Sequence, residues 1–209
     1  MIYRKDIALK VAEYLLEIKA IKLNPQDLFT WASGIQSPIY CDNRVSLAYP
    51  EVRSYIRNSF AELVKAKFEK IDLIAGVATA GIAHGALLAD ALGLPFCYVR
   101  SKPKEHGTQS LIEGKLNEGD KVVVVEDLFS TGGSTVKAIH ALREEGAHIQ
   151  GAVAIFNYGF DKVDKAFARA ETPFYTLSNF ESLLSLLEKD TRYTADQLSA
   201  MKSWYEHME

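Results

Sequence analysis

Three largely apolar runs constrain the fold of this chain more than any other feature. They are IDLIAGVA (residues 71–78), VVVVE (122–126) and GAVAIF (151–156). The runs lack polar alternation, as is typical of strands that are buried on both faces. Helical patterns separate them along the chain. The sequence therefore predicts an α/β fold in which a central, mainly parallel sheet is flanked by helices.

Apolar periodicity and turn residues place the other elements. Helices are predicted over residues 3–21, 52–68, 81–92, 134–145 and 162–169, with two more near the C-terminus. Strands are predicted over residues 71–78, 95–100, 121–127, 149–157 and 174–177. The stretch 23–49 carries proline, glycine and aromatic residues, which favours irregular loops and short strands.

Length and charge limit the possible classes of function. The chain has 209 residues, the size of one α/β domain, and its net charge of −3 predicts no broad basic face for nucleic acid. No apolar stretch is long enough to span a membrane, and the N-terminus does not read as a signal peptide. Cys41 and Cys97 match no metal-ligand spacing. We expect a single-domain cytoplasmic protein without nucleic-acid or membrane partners.

The strongest functional motif is VVVVEDLFSTGGSTVKAIHAL, residues 122–142, where a predicted strand meets a predicted helix. Gly132 and Gly133 would allow the backbone to approach a ligand closely. Hydroxyl groups near the positive end of the helix dipole would add hydrogen-bond donors. These hydroxyls belong to Ser130, Thr131, Ser134 and Thr135. The motif predicts a phosphate-binding turn.

Two carboxylates, Glu126 and Asp127, precede this turn at the carboxyl end of a central strand, where ligands bind in open α/β sheets. Carboxylates accept hydrogen bonds from vicinal hydroxyls, so the combination predicts a sugar phosphate site. Neither G-x-x-x-x-G-K-[ST] nor G-x-G-x-x-G occurs, which argues against nucleotide hydrolases and dinucleotide enzymes. The alternative is that the acids only cap a turn built from ordinary turn-forming residues.

The segment EDLFSTGGST resembles the phosphoribosyl pyrophosphate (PRPP) signature of the type I phosphoribosyltransferases. The resemblance implies their fold, with a core of about 49–178 and a small hood formed by about 1–48 and the C-terminal helices. It also implies Mg²⁺ as a cofactor that is bound mainly through PRPP, with no dedicated metal ligands from the protein. The PRPP contacts implied within this segment are Glu126, Asp127, Leu128, Phe129, Ser130, Thr131, Gly132, Gly133 and Ser134.

A connection of about twenty residues, 101–120, shows no clear periodicity and is long enough to be a functional lid. It begins with RSKPKEHG, residues 100–107, which resembles the catalytic loop of the orotate phosphoribosyltransferases. The resemblance implies that Arg100, Lys104 and His106 contact PRPP and that Lys104 and His106 are catalytic. Without that context, a basic loop is more often a solvated surface.

In the orotate enzymes this loop closes over the site of the neighbouring subunit, so the resemblance implies a homodimer. Many relatives have a second lysine directly after the arginine, where this chain has Ser101. Lys102 is an alternative candidate for that role. A further segment, IAGVATAGIAHG (74–85), resembles the pyrophosphate-side loop of the family, and its small residues permit close backbone approach.

The segment FTWASGIQSPIYCDNR, residues 29–44, resembles the hood motif of orotate enzymes with shorter chains. Other relatives carry a lysine at the position of Ala32 and, near Tyr158, an arginine that contacts the orotate carboxylate. Arg44 is a candidate substitute, although it could equally be a surface arginine, and Ser130 is a second candidate for contact with orotate. Trp31 either stacks on a ring or belongs to the hood core.

The motifs together predict an enzyme that transfers the 5-phosphoribosyl group from PRPP to orotate. The products would be pyrophosphate and orotidine 5′-monophosphate, an intermediate of pyrimidine synthesis. The alternatives are a purine or uracil phosphoribosyltransferase, or a regulator that senses PRPP without catalysis. His84, His140 and His148 stand alone and are expected to be helix or loop residues rather than ligands.

Overall fold

The computed structural model describes residues 1–31, 34–102 and 111–208. The helices are α1 (Lys5–Glu17), α2 (Pro50–Lys67), α3 (Ala80–Leu92), α4 (Gly133–Glu144), α5 (Asp161–Arg169), α6 (Phe180–Leu187) and α7 (Ala195–Glu206). The strands are β1 (Ile21–Leu23), β2 (Phe29–Thr30), β3 (Gln36–Ser37), β4 (Ile39–Cys41), β5 (Leu73–Val77), β6 (Phe96–Val99), β7 (Ile112–Gly114), β8 (Lys121–Phe129), β9 (His148–Asn157) and β10 (Phe174–Asn179). A 3-10 helix, Asn43–Ala48, precedes α2.

Six strands form the central sheet in the order β10-β9-β8-β5-β6-β7. All neighbours pair in parallel except β7, which runs antiparallel to β6. Successive side chains of β8 enter opposite cores: Val123 and Val125 pack with α1, α2, α3 and α6, while Val122 and Val124 pack with α4 and α5. This two-faced burial explains the unbroken apolar runs. The predicted α/β fold is confirmed.

The chain between β6 and β8 differs from the prediction of one long irregular lid. Strand β7 pairs with the edge of β6, with Cys97 opposite Gly114 and Val99 opposite Ile112. A strand of three residues is too short to produce a recognisable period in the sequence. The irregular part is therefore shorter than predicted, and residues 103–110 of it lie outside the described residues.

The N-terminal segment forms two small antiparallel pairs, β1 with β4 and β2 with β3. Helix α7 contacts this segment from the other end of the chain, because Trp204 donates from Nε1 to the Gln36 carbonyl oxygen at 2.8 Å. Both chain ends therefore contribute to one part of the molecule, although the division into hood and core stays a prediction. Within the three described ranges, no helix is both long and apolar enough to cross a membrane.

A close approach between α3 and β8 sets the geometry at the carboxyl edge of the sheet. Gly81, in the first turn of α3, is buried against the end of β8. A Cβ atom at this position would overlap the Val125 carbonyl oxygen and lie 3.2 Å from Glu126 Cα. Only glycine leaves room for the helix to start this close to the strand.

We expect Gly81→Ala to lower the free energy of unfolding by about 1–3 kcal/mol, because backbone atoms would have to move apart to admit the methyl group. Urea denaturation measures the change. The matched control is Ala86→Ser on the exposed part of the same helix, which should stay within about 0.5 kcal/mol of the parent protein. Equal stability of the two variants would contradict the tight contact.

Candidate active site

The turn after β8 joins the central strand to α4 and has the open geometry that phosphate binding requires. Gly132 is the N-cap residue of α4, with φ of 76°, a conformation that favours glycine. The N-cap has no side chain, and no side-chain hydrogen bond caps the helix there. Backbone N–H groups in the first turn of α4 can therefore be offered to an anion, at the positive end of the helix dipole.

Two cavities lie on either side of this turn. The first, of about 390 Å³, is lined by Ser130 and Thr131 on one side and by aromatic residues on the other. The second, of about 610 Å³, is lined by Gly133 and Ser134 together with Ala78 and Arg100, among others. The turn is thus accessible from both sides, as a site for an extended sugar phosphate requires.

The acidic pair of β8 is linked to the turn by a hydrogen bond between Glu126 and Ser134, and neither acid is among the residues that line the two cavities. Glu126 is buried, and its carboxylate accepts hydrogen bonds from the Asp127 backbone N–H at 3.1 Å and from Ser134 Oγ at 3.3 Å. Asp127 is only partly buried. Burial raises the pKa of both carboxyl groups, and for Glu126 the neighbouring charge of Asp127 raises it further. Two adjacent carboxyls at this depth favour a partner that donates hydrogen bonds, such as a diol.

The two residues that complete β8 take different positions. Leu128 lines the first cavity. Phe129 is fully buried, with its ring centroid 4.9 Å from that of Phe167 and 5.8 Å from that of Phe174. A predicted contact of Phe129 with PRPP can therefore involve only its backbone. Thr135 is also fully buried, so its hydroxyl does not face the open side of the turn as expected.

A buried asparagine that no sequence motif singled out links the N-terminal segment to the acidic pair. Asn43 donates from Nδ2 to the Asp127 carbonyl oxygen at 2.8 Å, and its Oδ1 accepts from Cys41 Sγ at 3.2 Å. His84 of α3 is hydrogen-bonded to the Asn43 backbone. Burial lowers the pKa of His84 to about 4, so this imidazole is neutral near pH 7.

Aromatic residues from both ends of the chain form the wall of the first cavity. The ring centroids of Trp31 and Tyr158 are 4.6 Å apart, and those of Tyr158 and Phe160 are stacked at 5.6 Å. Trp31 also donates from Nε1 to the Ile39 carbonyl oxygen at 3.0 Å. Trp31 thus packs in the aromatic cluster and also lines the cavity. The two expectations for this residue, a place in the core and stacking on a ligand ring, are therefore compatible.

The predicted basic residues occupy different places. Arg44 is exposed and forms a double hydrogen bond with Asp42, at 2.6 and 2.8 Å, and it is not among the residues that line the first cavity. Arg100 pairs with Glu113 at 3.2 Å and lines the second cavity. Lys104 and His106 lie outside the described residues, so their predicted roles remain predictions.

Comparison with known proteins determines the family. Residues 47–175 match the model of the phosphoribosyl transferase domain, a range that includes the acidic pair and the phosphate turn. The orotate phosphoribosyltransferase of Lactococcus lactis subspecies cremoris is 51% identical over 204 residues, which cover 98% of each chain. The chain belongs to the orotate phosphoribosyltransferase family.

Two further relatives, one compared by sequence and one by structure, carry the same enzyme name. The enzyme of Staphylococcus saprophyticus is 48% identical over 202 residues, which cover 97% of this chain and all of the relative. The crystal structure of orotate phosphoribosyltransferase from Aeropyrum pernix has a TM-score of 0.77 at 29% identity and covers 86% of this chain and 99% of its own. The predicted family and enzyme class are confirmed.

We expect Glu126→Gln to raise the free energy of unfolding near pH 8. A carboxyl group whose pKa is higher in the folded state lowers the free energy of unfolding at any pH where it is ionised in both the folded and the unfolded state. This loss of stability disappears below the ordinary pKa of the group, where it is protonated in both states. The gain in stability should therefore be largest above the raised pKa and shrink as the pH falls toward the ordinary pKa. Urea denaturation of both proteins at about pH 8 and about pH 5 measures this difference.

The same Glu126→Gln substitution should reduce turnover, because the neutral amide replaces one carboxylate oxygen with a donor and binds a diol less well. A variant that is less stable than the parent at the higher pH would contradict the assignment of a buried, destabilising charge.

Proposed function

We propose that this protein transfers the 5-phosphoribosyl group from PRPP to orotate, forming orotidine 5′-monophosphate and pyrophosphate. One observation carries the proposal: the residues of the phosphate turn line two cavities, and Ser134 of the turn is hydrogen-bonded to Glu126 of the acidic pair. The turn would bind the 5-phosphate, and Glu126 with Asp127 would accept hydrogen bonds from the ribose diol. The aromatic cavity would receive the base, and the cavity beside Arg100 would receive pyrophosphate.

The reaction needs no nucleophilic side chain. The ring nitrogen of the base attacks the anomeric carbon while the bond to pyrophosphate breaks, and the proton that this nitrogen carried passes to water or to the departing pyrophosphate. Positive charge develops on the ribose ring and negative charge on the leaving oxygens, so stabilisation of these charges supplies most of the catalysis. Backbone N–H groups of the turn from Ser130 to Ser134 hold the 5-phosphate, which fixes the sugar for the attack.

The lid supplies the charges for the leaving group in this proposal. Arg100, Lys104 and His106 would face pyrophosphate once the loop closes, and closure would exclude water from the cationic sugar. The pairing of Arg100 with Glu113 holds the first of these residues at the rim of the second cavity. Releasing Arg100 from Glu113 would leave the guanidinium available for pyrophosphate, which accepts the same bidentate hydrogen bonds as a carboxylate.

In this proposal, Mg²⁺ enters the site together with PRPP. Among the residues that the structure describes, no cluster of three or more His, Cys, Asp or Glu side chains could hold a metal ion. Two adjacent carboxyls are too few for Mg²⁺, which prefers octahedral coordination by oxygen, so PRPP and water would provide most ligands. When bound, the ion would neutralise charge on pyrophosphate. Asp127, the less buried acid, is the residue best placed to approach it.

We also propose a homodimer in which each lid completes the site of the neighbouring subunit, as the loop motif predicts. A cytoplasmic location agrees with two cysteines, Cys41 and Cys97, which are both free and buried.

We expect the purified protein, given PRPP and Mg²⁺, to release pyrophosphate with orotate in preference to uracil, adenine, guanine and hypoxanthine. The nucleotide product identified by mass spectrometry is the measurement. A preference for another base would mean that the fold and phosphate turn serve a purine or uracil phosphoribosyltransferase. Binding of PRPP without pyrophosphate release on any base would instead indicate a sensor.

We expect Lys104→Ala to reduce turnover about a hundredfold, since loss of one stabilising contact in the transition state costs roughly 3 kcal/mol. Co-expression of Lys104→Ala with Glu126→Gln tests where the lid acts. If each lid serves the neighbouring subunit, mixed dimers contain one intact site, and the preparation should recover about one quarter of the parent activity.

No recovery in the mixed preparation would show that the lid acts within its own subunit. The matched control for the lysine substitution is Lys115→Ala, an exposed lysine in the same connection beyond β7, which should keep the parent turnover.

A further inference from the structure

The aromatic cavity has one cationic side chain among the described residues that line it. That residue is Lys162, in the first turn of α5. The other described lining residues, such as Trp31, Tyr158 and Ser130, are aromatic, apolar or neutral polar. A cavity of this composition suits a flat ring that carries one negative charge.

Lys162 is available for a ligand. Within the described parts of the chain, its ammonium group has no carboxylate at ion-pair distance, whereas Lys165, one turn further along α5, pairs with Asp161 at 3.1 Å. The predicted alternative, Arg44, is held by Asp42 through two hydrogen bonds. Lys162 is therefore a cation at the cavity without a carboxylate partner among the described residues, whereas Arg44 is already paired with Asp42 and does not line the cavity.

The N-terminal end of the helix that carries Lys162 lies at the cavity, and Asp161 and Asp164 in its first turn offset part of the positive potential of the helix dipole. Phe160 is the N-cap residue of α5 and also lines the cavity, and it makes no side-chain cap. The N-terminal end of α5, which carries the positive end of the helix dipole, therefore borders the cavity. An anionic substituent placed there would interact with both the ammonium group and the helix end.

We propose that Lys162 determines the specificity for orotate by binding the ring carboxylate, while the aromatic wall contacts the pyrimidine. The inference rests on the proposed function. Orotate differs from uracil by its carboxylate, and Lys162 is the group that would recognise it. Ser130 lines the same cavity and belongs to the phosphate turn, so the ring would lie between Lys162 and the ribose. Lys162 is exposed, so with a bare pyrimidine its ammonium group would stay hydrated and the ring would lack the ionic contact that orotate makes.

The test compares the full-length protein with Lys162→Gln, which removes the charge and keeps similar length. We expect the KM for orotate to rise roughly 10- to 100-fold, the loss typical of one charge-assisted hydrogen bond. The KM for PRPP should change little. Lys162→Arg should restore most of the affinity for orotate, because it restores the charge.

Product inhibition by two nucleotides separates recognition of the carboxylate from a general effect on the cavity. Orotidine and uridine 5′-monophosphates differ only in that carboxylate, so Lys162→Gln should weaken inhibition by the former and leave the latter near the parent value. The matched control is Lys165→Gln, on the same helix but paired with Asp161. This variant should be inhibited by both nucleotides as strongly as the parent protein is.

The inference is overturned by an unchanged KM for orotate in Lys162→Gln, or by an equal loss of inhibition by both nucleotides. Failure of the proposed function is a different result, because the parent protein itself would then release no pyrophosphate with orotate. Restoration by Lys162→Arg would exclude a purely structural role for the side chain at the start of α5.

Discussion

The parallel register between β5 and β8 is the constraint on which the site depends. Gly76 of β5 lies opposite Val125 of β8, so the loop after β5 and the acidic pair near the end of β8 reach the same edge of the sheet. Helix α3 can begin directly beside Glu126 only because Gly81 has no side chain. The close backbone contact thus brings the small-residue loop and the acidic pair together before any ligand binds.

This arrangement places function and stability in opposition. Burial raises the pKa of both Glu126 and Asp127, and the charge of Asp127 raises the pKa of Glu126 further, so the ionised forms are disfavoured. A hydrogen bond from Ser134 stabilises the Glu126 carboxylate. Asn43 of the N-terminal segment donates to the Asp127 carbonyl oxygen and so holds the backbone of the acidic pair in place. A set of oriented acceptors next to a phosphate turn is what a ribose diol needs. The family assignment agrees with this chemistry.

The predicted elements agree with the structure where the local pattern was long. The apolar run of β8 and the glycine-rich turn after it occur where expected, because burial on both faces and a helix N-terminus each leave a local signature. Strand β7 was missed, because three residues at a sheet edge carry no period. Phe129 illustrates another limit: its place in the motif suggested a ligand contact, but strand alternation turns its ring into the core.

The sequence by itself determined the buried strands, the glycine-rich turn and the acidic pair, because each leaves its signature in residues that are neighbours in the chain. Only the tertiary structure decided what surrounds the aromatic cavity, where residues from distant segments meet: Trp31, Tyr158, Lys162 and Met208. It also decided which cation is available there, since Arg44 is paired with Asp42 and Lys162 has no partner among the described residues. Such contacts depend on packing between elements, which local periodicity does not encode.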